Sequence, residues 1–217
     1  MLKWAVRLTI LIGLAGVAAL ALQTVVHPVS TLMLGRWLTG QPVDRRWVPL
    51  SAVSPRLVAA VILSEDGQFC HEHGIDVSAL REVIGNGEGA PSRGASTLTM
   101  QVVKNLFLWP GRSYLRKALE IPLAVVLDAV WGKRRVLEAY LNVAEWGDGI
   151  FGIEAAAQRH FRVDAGQLSL RQAALLATAL PNPIRRSVTQ PSRIHRQLAQ
   201  RIVDMQGIAG PHVACVQ

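Results

Sequence analysis

Residues 55–74 read PRLVAAVILSEDGQFCHEHG, and this stretch decides the fold. Apolar side chains fill a helical face as far as Leu63, the Glu65-Asp66 pair falls at the carboxyl end, and Gly67 breaks the helix. With Ile62, Leu63 and Phe69 around it, Glu65 is positioned to have its pKa raised by desolvation. That is how a glutamate becomes a general acid or base near neutral pH. The alternative is that Glu65 or Asp66 caps a helix or pairs with an arginine. The triplet His71, Glu72, His73 is a weak metal signal, because HExxH is absent and residues at i and i+2 do not share a helix face.

Working outward, helical patterns continue. IDVSALREVIGNG (75–87) predicts a helix capped by Asp76 and ending at Gly85 or Gly87. GEGAPSRGAS (87–96) is rich in Gly, Pro and Ser and reads as a mobile loop. Helices resume with STLTMQVVKNLFL (96–108), capped by Ser96 or Thr97, then YLRKALEIPLAVVLDAVW (114–131) and KRRVLEAYLNVAEWG (133–147). GIEAAAQRHF and LSLRQAALLATAL follow. Strand alternation never exceeds a few residues and no repeat is present, so the expected class is all-α.

The chain has 217 residues, enough for one domain with a genuine core. It is 50% hydrophobic with mean hydropathy +0.27, which points to a lipid-embedded part. Residues 8–26, LTILIGLAGVAALALQTVV, carry no Lys, Arg, Asp or Glu, as a membrane-spanning helix of about 20 residues requires. A cleaved signal peptide has a shorter apolar region, so a retained single-pass anchor is expected. Lys3 and Arg7 ahead of it place the amino terminus in the cytoplasm and the chemistry outside. The expected organisation is an anchor at 1–30, an interfacial connector at 31–50 bearing Trp37 and Trp47, the functional domain at 51–195 and a tail at 196–217. In an oxidising compartment Cys70 and Cys215 could pair, yet Cys215 lies in the last few residues, where chains are loose; two unpaired thiols are expected. Net charge is +8 and pI about 10.5. Such a balance often marks nucleic-acid binding, but an exported, tethered chain meets anionic lipid head groups instead, so no nucleic acid is expected.

Lys104, Arg112, Arg116 and Lys117 fall within 14 residues, with Glu120 four positions beyond Arg116 on one helix face. A surface ion pair is the plain account. Several cations beside one carboxylate, next to a Ser/Thr-rich helix start, are also what binding a pyrophosphate requires, directly or through a divalent ion.

The segments EDGQFCHEHGID, RGASTLTMQVVKNLFL, RSYLRKALE, KRRVLEAYLNVAEWGDGIFGIEAAAQRHF and LSLRQAALLATALPNP resemble, in order and spacing, the motifs of the peptidoglycan glycosyltransferases of glycosyltransferase family 51, in their monofunctional biosynthetic form. The resemblance implies a lysozyme-like helical fold with a small membrane-contacting jaw. It implies that Glu65 is the base that deprotonates the 4-hydroxyl of the acceptor sugar, with Asp66 its customary neighbour. Lys104 and Arg112 resemble the cations that grip the donor pyrophosphate, and Lys117 and Glu120 match a basic and an acidic position of the third motif, beside Arg116. Ser96, Thr97 and Gln101 match polar positions of the second motif. Glu138, Tyr140 and Asn142 match the fourth and are expected, with Phe69 beneath Glu65, to support the cleft. Implied too are a divalent cation, Mg2+ or Mn2+, with Glu120 as a ligand, and no organic cofactor. The implied partners are lipid II, lipid-linked glycan, the inner membrane, and other cell-wall synthases and division proteins. Two positions depart from the pattern: Glu72 stands where histidine is usual, and Met100 where a glutamine is. A lytic enzyme using Glu65 as an acid, and a weakly active scaffold, are the alternatives.

Overall fold

A computed structural model describes residues 4, 7, 16, 18, 20–85, 96–111 and 113–217. The domain is mostly helical: α1 (Thr31–Leu38), α2 (Pro55–Glu65), α3 (Val77–Gly85), α4 (Leu98–Phe107), α5 (Tyr114–Val143), α6 (Ile153–Phe161), α7 (Leu170–Ala179), α8 (Arg193–Met205) and the short α9 (Gly210–Val213). Among the described residues no helix is long and apolar enough to cross a membrane, and the expected anchor falls largely outside them. The expected loop at 87–96 lies outside them too, except for Ser96.

Helix α2 is the axis of the core. Leu57, Val58, Ala59, Ala60, Val61 and Ile62 are all buried, so this helix is enclosed on every side rather than along one stripe. It packs against α7, α8 and α9, while α4 packs along α5. Pro55 suits the first turn of α2 because its missing N–H would have had no helical partner. The turn of residues 66–76 then carries the chain from α2 to the α4–α5 pair. At Gly74 φ is +83°, and an added Cβ would meet the Ala124 carbonyl oxygen at 2.4 Å, so only glycine lets the turn lie against α5.

Helix α5 is two helices joined at Gly132, where φ is 69° and ψ 164°. The break coincides with the boundary read between the 114–131 and 133–147 patterns. Its two halves present different faces: the first carries Arg116, Lys117 and Glu120, the second Glu138, Tyr140 and Asn142.

Three findings depart from the expected organisation. A small sheet is present, in which β3 (Ile150–Phe151) pairs parallel with β1 (Asp44–Arg45) and antiparallel with β2 (Glu145–Gly147). Strands of two or three residues are too short to show a period in sequence. Most of the tail at 196–217 lies in α8 and α9, with Ala199, Ile202, Ala209, Val213 and Val216 buried in the core. Finally, Cys70 and Cys215 form a disulfide across a separation of 145 residues, correcting the expectation of two free thiols. The ordered C-terminal helices bring Cys215 to the turn, where His212 Nδ1 also donates to the Gly67 carbonyl at 2.7 Å.

Trp37 is half exposed on α1, beside the exposed Leu34 and Leu38. Trp47 instead stacks on His27 with ring centroids 4.4 Å apart and receives the guanidiniums of Arg45 and Arg135 on its faces.

Candidate active site

Glu65 ends α2 and is only partly exposed. Gln101, one turn into α4, donates from Nε2 to Glu65 Oε2 at 3.1 Å. The other end of that amide is held: the Tyr140 hydroxyl, 1% exposed, donates to Gln101 Oε1 at 3.2 Å. Burial pushes the Glu65 carboxyl above its ordinary range; the Gln101 hydrogen bond and the charges of Lys104 and Arg186 oppose this, and Asp66 adds to it. A carboxylate raised by desolvation yet kept ionisable by nearby cations has the properties of a general base. Burial and the charge of Glu65 together push the Tyr140 hydroxyl well above the usual phenol value, so it stays a donor.

Lys104 lies between Glu65 and a charged cluster on the first half of α5. Among the described residues its ammonium has no hydrogen-bond or ion-pair partner. Burial pushes its pKa down, and Arg116 and Lys117 reinforce this, while Glu120 and Glu65 pull it up. Glu120 is buried, pairing with Arg116 at i–4 through Oε1 and with Lys117 through Oε2 at 3.3 Å. Lys117 also donates to Ser96 Oγ at 2.7 Å and lies 3.8 Å from Met100 Sδ. Three cations against one carboxylate leave an anion-seeking surface facing Glu65. The expected cation Arg112 lies outside the described residues. Both Glu120 oxygens are already engaged by cations, and among the described residues no group of three or more His, Cys, Asp or Glu could hold a metal ion. The cluster by itself therefore does not fit a resident divalent ion.

The remaining sequence-predicted residues build the walls. Asp66 is buried and accepts from the Leu98 N–H at 2.8 Å, capping α4; burial pushes its carboxyl up to about 6 against that hydrogen bond. Thr97 caps the same helix, accepting from Met100 N–H at 3.1 Å and donating to the Gly74 carbonyl at 2.7 Å. Met100 is 2% exposed, so it forms floor beneath Lys117 rather than cleft lining. Phe69 is fully buried under the Lys133 ammonium, 4.7 Å from the ring centroid. Asn142 holds the chain at Val48 through both backbone groups, at 2.9 Å each, and Glu138 Oε2 accepts from Leu50 N–H at 2.9 Å. These two pin the segment entering α2 to the back of α5.

Arg186 was not found by sequence reasoning. It donates to the Thr178 carbonyl at the end of α7, and its charge reaches Glu65. The Arg185-Arg186 pair following Pro-Asn-Pro was the available signal.

The fold and site point to a class of enzyme: a helical domain in which a desolvated carboxylate lies within electrostatic reach of a cluster of cations. A family model described as Transglycosylase matches residues 32–206. The chain belongs to the transglycosylase family, and it is an enzyme of that family. It is 57% identical over 192 residues to the biosynthetic peptidoglycan transglycosylase of Agrobacterium fabrum, covering 88% of this chain and 85% of that protein. The protein of the same name from Rhizobium meliloti is 51% identical over 210 residues, covering 96% and 89%. The one from Brucella suis is 52% identical over 193 residues, covering 88% and 86%.

Proposed function

We propose that the protein polymerises peptidoglycan glycan strands from lipid II. The donor is a glycan on undecaprenyl pyrophosphate and the acceptor is lipid II. Glu65 removes the proton from the acceptor 4-hydroxyl as that oxygen attacks the donor's anomeric carbon, inverting it to a β-1,4 bond, and undecaprenyl pyrophosphate departs. The observation that carries this reading is the pairing of a desolvated Glu65, oriented by Gln101, with Lys104, whose ammonium lacks a partner among the described residues. Pyrophosphate is a good leaving group, so Lys104, Lys117, Arg116 and Arg112 supply electrostatic stabilisation in place of a general acid. Ser96, Gln101 and Thr97 set the Lys117 and Glu65 geometry, and Asp66 holds the turn. The Mg2+ or Mn2+ expected from the sequence belongs, in this reading, to the substrate's own phosphate oxygens.

The apolar run at 8–26 anchors the chain in the inner membrane with the domain on its outer face. The exposed Leu34, Trp37, Leu38, Trp109, Tyr114 and Leu115 form a jaw surface that meets the bilayer. Lipid-linked substrates are then sought in two dimensions with their sugars oriented. The test is full-length protein in detergent with labelled lipid II and a divalent cation, beside Glu65→Gln. A glycan ladder from wild type that vanishes in the variant is expected; lipid II left intact by wild type, or cleaved glycan in place of a ladder, defeats the reading.

A further inference from the structure

The residues at which the apolar run ends are held by the domain at several points. Residues 20–22 are helical and 23–26 form a turn, so the carbonyls of this stretch stand where a helix leaves its last acceptors without helical partners. Side chains of the domain supply the donors. The Trp131 indole donates to the Leu20 carbonyl at 2.8 Å, Arg135 Nη2 donates to the carbonyls of Gln23, at 2.8 Å, and of Val26, and Arg45 Nη2 donates to that of Pro28 at 2.7 Å. The Arg135 guanidinium is also within cation–π reach of two indoles, 5.4 Å from the Trp131 ring centroid and 5.3 Å from that of Trp47, on which His27 is stacked. Leu20 and Val29 pack against the hydrophobic core, and Ser30 Oγ accepts from the Met33 N–H to cap α1. Across residues 20–30 the chain thus passes from the apolar run into α1 without a slack linker.

Resting on the reading of residues 8–26 as a membrane anchor and of Glu65 as the base, we infer that Arg135 is a positioning residue that fixes the attitude of the domain over the bilayer, and with it the direction from which Glu65 meets lipid-linked acceptors. The guanidinium grips both sides of the junction. Nη2 holds the carbonyls at the end of the run, while Nη1 donates to Glu138 Oε1 at 2.7 Å, and the other oxygen of that carboxylate accepts from the Leu50 N–H at the entry to α2. Glu65 stands at the far end of α2. One side chain therefore joins the membrane exit to the segment leading into the helix that carries the base, by direct contacts throughout.

The chemistry of arginine suits this place. A cation at the carboxyl end of a helix meets the negative pole of the helix dipole, and where lipid excludes water an unpaired carbonyl is unfavourable. The planar guanidinium fork carries enough N–H donors to serve two carbonyls and a carboxylate together, whereas a lysine ammonium is a compact point charge without that geometry. Trp131 and Trp47 belong to the side-chain type that settles at the membrane–water boundary. On a flexible tether the domain would tumble over the bilayer and face the lipid-linked sugars for only part of the time; a fixed junction removes that loss.

Initial rates of lipid II polymerisation test this on full-length wild type, Arg135→Gln, Trp131→Phe and Glu65→Gln, each in phospholipid vesicles and in detergent micelles, with folding checked by circular dichroism. In a vesicle the anchor and both substrates share one plane, so the attitude of the domain matters; a micelle imposes no plane. Arg135→Gln is expected to lower kcat about tenfold in vesicles and less than about twofold in micelles. Trp131→Phe keeps an aromatic ring and removes the donor to Leu20, and the same split is expected at about threefold in vesicles. If Arg135→Gln does not fold, Trp131→Phe decides by the same criterion. A folded variant that matches wild type in vesicles, or that loses as much in micelles as in vesicles, overturns this inference alone, the second result showing that the contacts serve only the domain's own structure. No glycan from wild type, or an active Glu65→Gln, overturns the reading of the site and this inference with it.

Discussion

Removing the Cys70–Cys215 disulfide is the perturbation whose size the fold specifies best. The bond closes a loop of 145 residues. Loop-closure entropy for that length is about 17 cal/mol/K, hence about 5 kcal/mol of stability at 25 °C drawn from the unfolded chain. For a protein of this size each kcal/mol moves the melting temperature by about 2–4 °C, so a loss of roughly 10–20 °C is expected. The Cys70→Ala/Cys215→Ala double variant leaves no stray thiol, and melting can be followed through the six tryptophans in detergent, with and without reductant. Reduced wild type should melt with the double variant, and reductant should leave the double variant unmoved. The glycan-forming rate at 25 °C should hold within about twofold, because the Leu98 N–H, Thr97 and Lys133 still fix the turn around Glu65. A melting loss below about 3 °C would refute the loop-closure reasoning, and a collapse of the rate in a folded variant would show that the covalent link, not these contacts, shapes the turn.

Tyr140→Phe removes the donor that fixes the Gln101 amide; kcat should fall on the order of tenfold with KM for lipid II moved less than twofold, and an unchanged kcat would deny Gln101 an orienting role. The raised Glu72 and Asp66 groups also predict a pH trend in stability. Folded-state values of about 7 and about 6 lie above the unfolded ones, so the folded state binds the extra protons, and their stabilisation is complete below about pH 4 and lost as pH rises through 6 and 7. Glu72→Gln should therefore gain stability over wild type at pH 8 relative to pH 5, by up to about 3 kcal/mol, in urea unfolding at the two pH values; an equal difference at both would contradict the sign.

Much of this architecture was legible because it is local. Helix α2 announced itself through its apolar run and its Gly67 stop, and the Gly132 break through a change of helical register. Arg116 and Lys117 of α5 stand four and three positions before Glu120, so their meeting at that carboxylate needed only the helical period. What was hidden depends on distant parts of the chain meeting. Asp66 reads only as the customary neighbour of Glu65, and its occupation by the Leu98 N–H could not be seen without knowing that α4 begins there. Cys215 looked loose because nothing near it in sequence shows that α8 and α9 pack into the core. Arg186 meets Glu65 only through the packing of α7 on α2.

The amide of Gln101 has a stereochemical consequence. Its oxygen is committed to the Tyr140 hydroxyl, so only its NH2 can turn toward Glu65, and it does so at Oε2 alone. The two oxygens of the carboxylate are thereby made unequal. One is a fixed pivot with a lone pair already spent, and the other keeps its lone pairs for the incoming proton. A symmetric group becomes a handed one, and in the proposed reaction the acceptor sugar is offered a single trajectory along which to lose its hydrogen.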